Sequence, residues 1–503
     1  MMHGKRLSMD PNTPVNQSVV VSGESGAGKT EASKHVMNFL IAADKEIQRP
    51  ASSSATASNE EDKLGDAIRE VLVKSNIIFE SFGNAKTLRN DNSSRFGKYI
   101  KLQYSDDSKI LSAFTETFLL EKSRLMSVGT NERTYHIFYQ LFHQDSQQVS
   151  SSSSSSTRHQ QLRKQLHLCC GAGSFRMLQD NEGKVLRSGQ DELLEELESS
   201  LQAIGCTMEE LTSLWTVLAS LLHLGNLTCY NNEDKPPAEV ETPAIDGHMH
   251  HIDGNVCIHS PTIPLSSLAD LLGVTPEMFA SRLTTQRVKV STRRSVTIKR
   301  LNTVDINNNV AALIKWMYSC LFSWLVSKVN YAHCSVGGDS PSMASRRAVK
   351  FIGILDIFGF EILQSNSFEQ LCINYTNERL QQQFNAFVFD REQDIYRAEG
   401  LDWQSISYRD NQHVIDLIGK KPLGLLCILE EQGMLNRGSS DEGALYSAFN
   451  STHDKKHVAY ERSRFNDNRF TVHHFAGDVT YTIAGRGGCS IYMHVCVFLT
   501  LPF

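Results

Sequence analysis

The sequence predicts an α/β fold in which a sheet is flanked by helices and carries large helical outgrowths. Three features predict it: short runs of β-branched and apolar residues, longer stretches with apolar residues at helical spacing, and a glycine-rich turn set between one of each. Ser18–Val21 (SVVV) reads as a short strand entering that turn. Thr30–Ala43 follows it, with Ala32, Val36, Phe39, Leu40 and Ala43 at helical spacing. Tyr99–Tyr104 and Ile110–Phe114 read as strands joined by the polar turn Ser105–Lys109. Leu211–Leu224 and Asn309–Val329 read as long buried helices. Val349–Ile357 (VKFIGILDI) is mostly apolar and β-branched, the pattern of a strand covered on both faces. Phe368–Gln393 reads as one long helix, and Phe470–His474 and Val479–Ile483 as strands.

Four stretches lack hydrophobic periodicity and are expected to be surface loops: Asp44–Lys63, Asp145–Gln161 with its serine run, Asn231–Pro264 and His333–Arg346. Within the third, His248–His251 (HMHH) has no Cys or carboxylate at ligand spacing, so a solvated loop is expected rather than a metal site.

At 503 residues the chain is long enough for several packed subdomains. Its 40% hydrophobic and 21% charged residues fit a globular protein, and a net charge of −6 argues against a nucleic-acid partner. Eleven scattered cysteines without C-x-x-C spacing read as reduced cytosolic thiols. The N-terminus has no apolar stretch of the signal-peptide kind. No run reaches the ~18 apolar residues that a membrane helix needs. The nearest, Ile491–Phe503, is short and contains His494.

Gly23-Glu24-Ser25-Gly26-Ala27-Gly28-Lys29-Thr30 matches G-x-x-x-x-G-K-[ST] at each fixed position and lies between a strand and a helix. Its glycines let backbone N–H groups turn toward a polyphosphate, and the helix adds its positive end. Lys29 would reach the β/γ-phosphates, and the Thr30 hydroxyl would ligate Mg²⁺. Asn90–Tyr99 (NDNSSRFGKY) is a polar loop running into a strand. The hydroxyls of Ser93 and Ser94, beside Asn90 and Arg95, suit a loop that closes over a γ-phosphate. Asp356-Ile-Phe-Gly359-Phe-Glu361 ends an apolar strand at its C-terminal edge, where α/β sheets bind ligands. Asp356 can hold Mg²⁺ through water, and Gly359 can present its N–H to a γ-phosphate.

In this order, GESGAGKT, NDNSSRFGKY and LDIFGFE resemble the P-loop, switch I and switch II of myosins. Kinesin-type motors share a P-loop and an SSR loop, but their P-loop does not read GESGAGKT and no FEQLCINYTNE helix follows their switch II. The likeness extends to Lys74–Thr87 before switch I, to Phe368–Leu380 as the relay helix, to Gly400–Trp403 as the relay loop and to Phe470–Tyr481 as a late strand. It covers about Lys5 to Ile483. The resemblance implies a partial myosin motor over residues 1–483: a P-loop NTPase core with a mixed central sheet, and helical upper and lower actin-binding subdomains. It implies an actin-activated Mg-ATPase that drives an actin-based motor in the cytoplasm, on the actin cytoskeleton. The expected cofactors are ATP and Mg²⁺. The expected partner is F-actin, with no nucleic acid and no membrane segment.

Residue by residue, the resemblance implies that Lys29 and Asn90 contact phosphates and that Ser94 joins Thr30 on Mg²⁺. Ser93 would lie beside the attacking water, and Arg95 and Glu361 would form the ion pair that closes the site. Met434, Leu435 and Arg437 would sit near the tip of the lower actin-binding helix-loop-helix. Thr285–Lys299 resembles the upper loop that meets actin, with Arg293 and Arg294 as its contacts and Ser295 as a regulatory phosphosite. Trp403 would pack in the relay loop.

The expected family segments before the P-loop strand and after Tyr481 are not matched, and 484–503 reads as a non-family segment of the kind a gene-model artefact produces. Converter, lever and tail are not matched either, so light chains and cargo are not predicted. The alternative reading is a truncated, catalytically incompetent fragment that binds nucleotide or actin.

Overall fold

The computed structural model describes residues 16–21, 23, 26–48, 61–105, 110–142, 154–192, 194–231, 249–252, 256–290, 295–335, 350–401, 410–435, 442–465 and 467–483. The chain forms two compact units. The first is Met1–Asn226, Leu271–Gly273 and Trp316–Phe358; the second is Leu227–Asp270, Val274–Lys315 and Gly359–Phe503.

The first unit is built on a four-stranded mixed sheet in the order Gln17–Val21, Lys350–Asp356, Gly97–Tyr104, Ile110–Phe118. The first pair is parallel and the others antiparallel. Strand Lys350–Asp356 is exposed at its start and buried toward its end. The expectation of a strand covered on both faces therefore holds only for its C-terminal half. Helices Lys29–Gln48 and Glu61–Gly83 carry apolar residues one turn apart, Met37 and Ile41 on the first and Ile68 and Leu72 on the second. These pack with Ile100, Leu102, Ala113 and Ile354 of the sheet. Ile100 and Leu102 alternate along their strand and so share a face.

Helix Thr303–Ser335 is longer than expected and, by length and composition, is long and apolar enough to cross a membrane. That corrects the expectation that no such run exists. One face of the helix, with Tyr318 and Asn330, packs inside the protein. Tyr318 donates to the Phe82 carbonyl at 2.6 Å and stacks on Tyr135. Asn330 accepts from the Thr115 N–H at 2.7 Å and donates to its carbonyl at 2.9 Å.

All four expected loops contain regular structure, the fourth where helix Thr303–Ser335 runs into its start. Helices Lys29–Gln48 and Glu61–Gly83 run into the ends of the first. Helix Ser154–Gln165 takes the end of the serine run, because the following RHQQLRKQ is rich in good helix formers. Strands Thr228–Asn231, Met249–Ile252 and Val256–His259 form an antiparallel sheet with Val256–His259 in the middle. Met249, His250 and His251 are thus in a strand, not a loop. Among the described residues no group of three or more His, Cys, Asp or Glu side chains is placed to hold a metal ion.

The second unit also contains the hairpin Thr285–Val290/Ser295–Arg300 and a three-stranded sheet of Tyr460–Arg462, Arg469–His474 and Gly477–Thr482. Helices Phe368–Asn385, Gln412–Gly419, Leu425–Leu435 and Glu442–His453 pack with that sheet through Leu371, Leu417, Leu425, Leu445, Phe470 and Val479. A Ser367–Gln370 capping box starts the first of these. The single helix expected over Phe368–Gln393 is corrected: a π-helical segment, Ala386–Arg391, separates Phe368–Asn385 from Glu392–Ala398. Apolar spacing does not register one extra residue in a turn. Phe384 and Phe387, at the end of the first helix and in the π-helical segment, are each 56% exposed.

Candidate functional site: a phosphate loop and two switch segments

Gly23, Gly26 and Gly28 have φ of +150°, +85° and +82°. A side chain resists these conformations, so the loop can turn this tightly only on glycine. A Cβ on Gly28 would meet nothing within 4 Å; its backbone, not its space, demands glycine. Lys29 Nζ folds back to donate to the Gly23 carbonyl at 2.8 Å. Glu24 and Ser25 lie outside the described residues.

Strand register brings three motif ends together. Asp356 pairs with Val21, which leads into the phosphate loop, and on its other side with Lys98, just after the second motif's Arg95. The Thr30 side chain hydrogen-bonds the Asp356 carboxylate. The Arg89 carbonyl lies 3.8 Å from where a Cβ on Gly26 would stand, so the two loops run side by side.

Burial pushes the Asp356 carboxyl above its ordinary value, while Lys98, the Thr30 hydroxyl, Lys29 and Lys34 pull against that rise. Burial also pushes Lys98 down, although Asp356 and Glu80 favour its charge. Lys98 Nζ donates to Asn76 Oδ1 at 3.0 Å. Lys34 meets Glu31 at 2.8 Å and Glu80 at 2.9 Å. Burial acts to lower the Lys34 pKa, but these two carboxylates outweigh it and hold it raised.

Ser93 and Ser94 pair with Ala85 and Asn84 as a short antiparallel ladder. Asn90 shapes the turn before them: its Oδ1 accepts the Asn92 N–H at 3.0 Å, and its own N–H donates to Thr87 Oγ1 at 3.2 Å. Asn92 ties that turn inward, accepting from Asn84 at 2.9 Å and donating to Glu80 at 3.0 Å. Ser94 Oγ donates to the Phe96 carbonyl at 2.8 Å. Arg95 is buried. Its Nε donates to Glu121 Oε2 at 2.6 Å and its Nη1 to Ser93 Oγ at 3.3 Å. Arg124 Nε meets the same Glu121 oxygen at 2.7 Å. Burial would raise the Glu121 carboxyl, but the charges of Arg124 and Arg95 win and hold it at about 2.

Gly359 and Glu361 belong to the second unit, and both are buried there. Asn374 holds the Glu361 backbone at both ends: Oδ1 accepts its N–H at 2.9 Å and Nδ2 donates to its carbonyl at 2.8 Å. Gln370 Nε2 donates to the Glu361 carboxylate at 3.4 Å. The third motif is thereby tied to helix Phe368–Asn385.

Met434 and Leu435 close helix Leu425–Leu435, and Ser295 opens its strand opposite Val290. Arg293, Arg294, Arg437 and Trp403 lie outside the described residues. Sequence reasoning missed Glu121 and Arg124, the groups that position Arg95. Nothing in LLEKSRL distinguishes them from an ordinary polar turn. It quoted Lys98 inside a motif and assigned it no role.

The family model for the myosin head (motor domain) matches residues 8–486, running past Ile483. Myosin-2B of Naumovozyma castellii is 35% identical over 478 residues, covering 94% of this chain and 30% of that protein. Myosin-2 of Saccharomyces cerevisiae is 35% identical over 478 residues, covering 94% of this chain and 27% of that protein. Myosin-6 of Arabidopsis thaliana is 35% identical over 475 residues, covering 93% and 27%. The chain thus spans less than a third of the length of these relatives. With a phosphate loop and two switch segments in family order, and a match over nearly its whole length, this chain belongs to the myosin head (motor domain) family.

Proposed function

We propose that the chain is the motor part of an ATP-driven, actin-based cytoskeletal protein of the cytoplasm, coupling Mg-ATP hydrolysis to binding of F-actin. One observation carries the reading: register sets Asp356 between the strand that enters the phosphate loop and the strand that leaves the second motif, with Thr30 bonded to it. We assign a P-loop core with a mixed sheet, and upper and lower actin-binding subdomains, within residues 1–483.

The backbone N–H groups of Gly23–Thr30, the Lys29 ammonium and the Asn90 amide would bind the phosphates. Lys29 would exchange the Gly23 carbonyl for phosphate oxygen. The hydroxyls of Thr30 and Ser94, with Asp356 through water, are the hard oxygen donors that suit Mg²⁺. Bound there, Mg²⁺ would act as a Lewis acid and offset phosphate charge. Ser93 would orient the attacking water, and the Gly359 N–H would meet the γ-phosphate. Arg95 and Glu361 would then close the site as an ion pair and exclude bulk water. Glu121 already takes the Arg95 Nε, so a bond to Glu361 would use the terminal nitrogens. Because Asn374 grips the Glu361 backbone, movement at Gly359 would pass to helix Phe368–Asn385. Met434, Leu435 and Arg437, with Arg293 and Arg294, would contact the acidic filament. Ser295 would be the regulatory phosphosite, where phosphate adds about −1.5 to −2 charges to a basic hairpin.

Phosphate release with and without F-actin tests this. Stimulated release that Lys29→Ala loses is expected; equal rates for the two chains would overturn the reading. Glu361→Ala should leave ATP binding largely intact and block hydrolysis, because the proposed Arg95 pair closes the site and does not hold the base or ribose. Ser295→Ala and Ser295→Asp should differ in actin-stimulated rate.

A further inference from the structure

An open groove of about 530 Å³ lies on the first unit between helix Met208–Asn226 and the later half of helix Thr303–Ser335. None of the nucleotide-site residues lines it. Its walls include Glu209, Leu214 and Val217 from one helix and Trp316, Cys320 and Trp324 from the other. The last three are four residues apart and so share a helical face. Trp316 is 57% exposed, whereas Trp215 on the facing helix is 1% exposed. A large indole left in water beside an apolar wall is costly unless something else covers it.

The molecule itself displays the chemistry that this face accepts. One turn beyond Trp324, the Lys328 ammonium pairs with Glu210 and lies 5.8 Å from the Trp324 ring centroid. An indole and a carboxylate therefore hold a cation at one end of the stripe. Glu209, beside that pair, and Trp316, about three turns along the stripe, bring the same two groups to the two ends of the groove. The volume falls in the range of small-molecule sites.

We infer that this groove binds a small organic cation with an aromatic or branched apolar body. The body would lie on Trp316 against Leu214 and Val217, and the ammonium would meet Glu209 within reach of an indole face. The inference is independent of the motor reading, since it uses none of the same residues.

The test titrates the full chain with 2-(1-naphthyl)ethylammonium, followed by tryptophan fluorescence. Its neutral N-acetyl analogue and 1-naphthalenepropionate are titrated alongside. The ammonium should bind saturably, the neutral analogue about tenfold more weakly, and the carboxylate more weakly still. Glu209→Gln should erase the preference for the charged probe, and Trp316→Ala should weaken the ammonium about tenfold. Trp316→Phe, which keeps a ring, should retain most of the affinity and shows that the face still folds. Bound ammonium should also slow maleimide alkylation of Cys320, read by peptide mapping. Absence of saturable binding, equal affinity for the charged and neutral probes, or unchanged binding in both Glu209→Gln and Trp316→Ala would each overturn the assignment.

Discussion

Two buried polar clusters hold the two switch segments, and they use different chemistry. In the first unit Glu121 accepts from both Arg95 and Arg124, and those two cations hold its carboxyl at about 2. In the second unit the Glu361 backbone is gripped by the Asn374 amide, which also donates to the Tyr481 hydroxyl at 2.9 Å. That hydroxyl meets His474 at 2.8 Å, and His474 meets Glu378 at 3.0 Å. The ionic cluster binds strongly but leaves a bare charge when one member is lost. The amide cluster depends on direction, and each bond counts for less. The charge cluster fixes its segment by strength, and the amide cluster fixes its segment by direction.

The largest effect should come from breaking the ionic cluster. Glu121→Ala removes the carboxylate that two buried guanidinium groups share, leaving Arg124 with Glu132, and should cost about 3–5 kcal/mol, read by denaturant unfolding of the purified chain. A loss no larger than that of a surface pair would show that water reaches Arg95 and Arg124.

Acid titration sharpens the same point. The folded value of Glu121 lies below its ordinary 4.5, so its stabilisation is complete above that pH and is lost as pH falls toward about 2. Glu121→Gln keeps the shape, and its unfolding free energy should lack this part of the acid slope. Matching slopes in the two proteins would assign the acid sensitivity to other carboxylates.

The amide clamp should yield a smaller loss. Asn374→Asp keeps the outline but cannot donate to Glu361 or Tyr481, so it should cost about 1–3 kcal/mol. Equality with Glu121→Ala would erase the distinction between the clusters. The smallest effect belongs to the exposed pair Arg397–Asp394, where Arg397→Ala should change stability by less than about 0.5 kcal/mol. A loss above about 1 kcal/mol there would mean that Glu392–Ala398 is held by contacts beyond its own surface.

The sequence by itself determined the features that are local in the chain. The phosphate loop was legible because three glycines with positive φ and a following helix occupy one short segment. Helices such as Met208–Asn226 and strands such as Gly97–Tyr104 were legible because apolar residues repeat at the period of the element. The π-helical segment at Ala386–Arg391 was not, because an added residue changes backbone bonding while the apolar spacing still reads as helix. The strand at Met249–Ile252 was hidden because its pairing with Val256–His259, not its own polar residues, makes it a strand.

Only the tertiary structure decided which distant groups meet. Asp356 stands beside Val21 and Lys98 because one strand pairs parallel on one side and antiparallel on the other, and no single segment carries that register. Arg95 finds Glu121 across 26 positions and Asn374 finds Tyr481 across 107. A charge or an amide has no periodicity of its own. What it binds, and how far its proton affinity moves, depends on burial and on partners that the chain supplies only once it has folded.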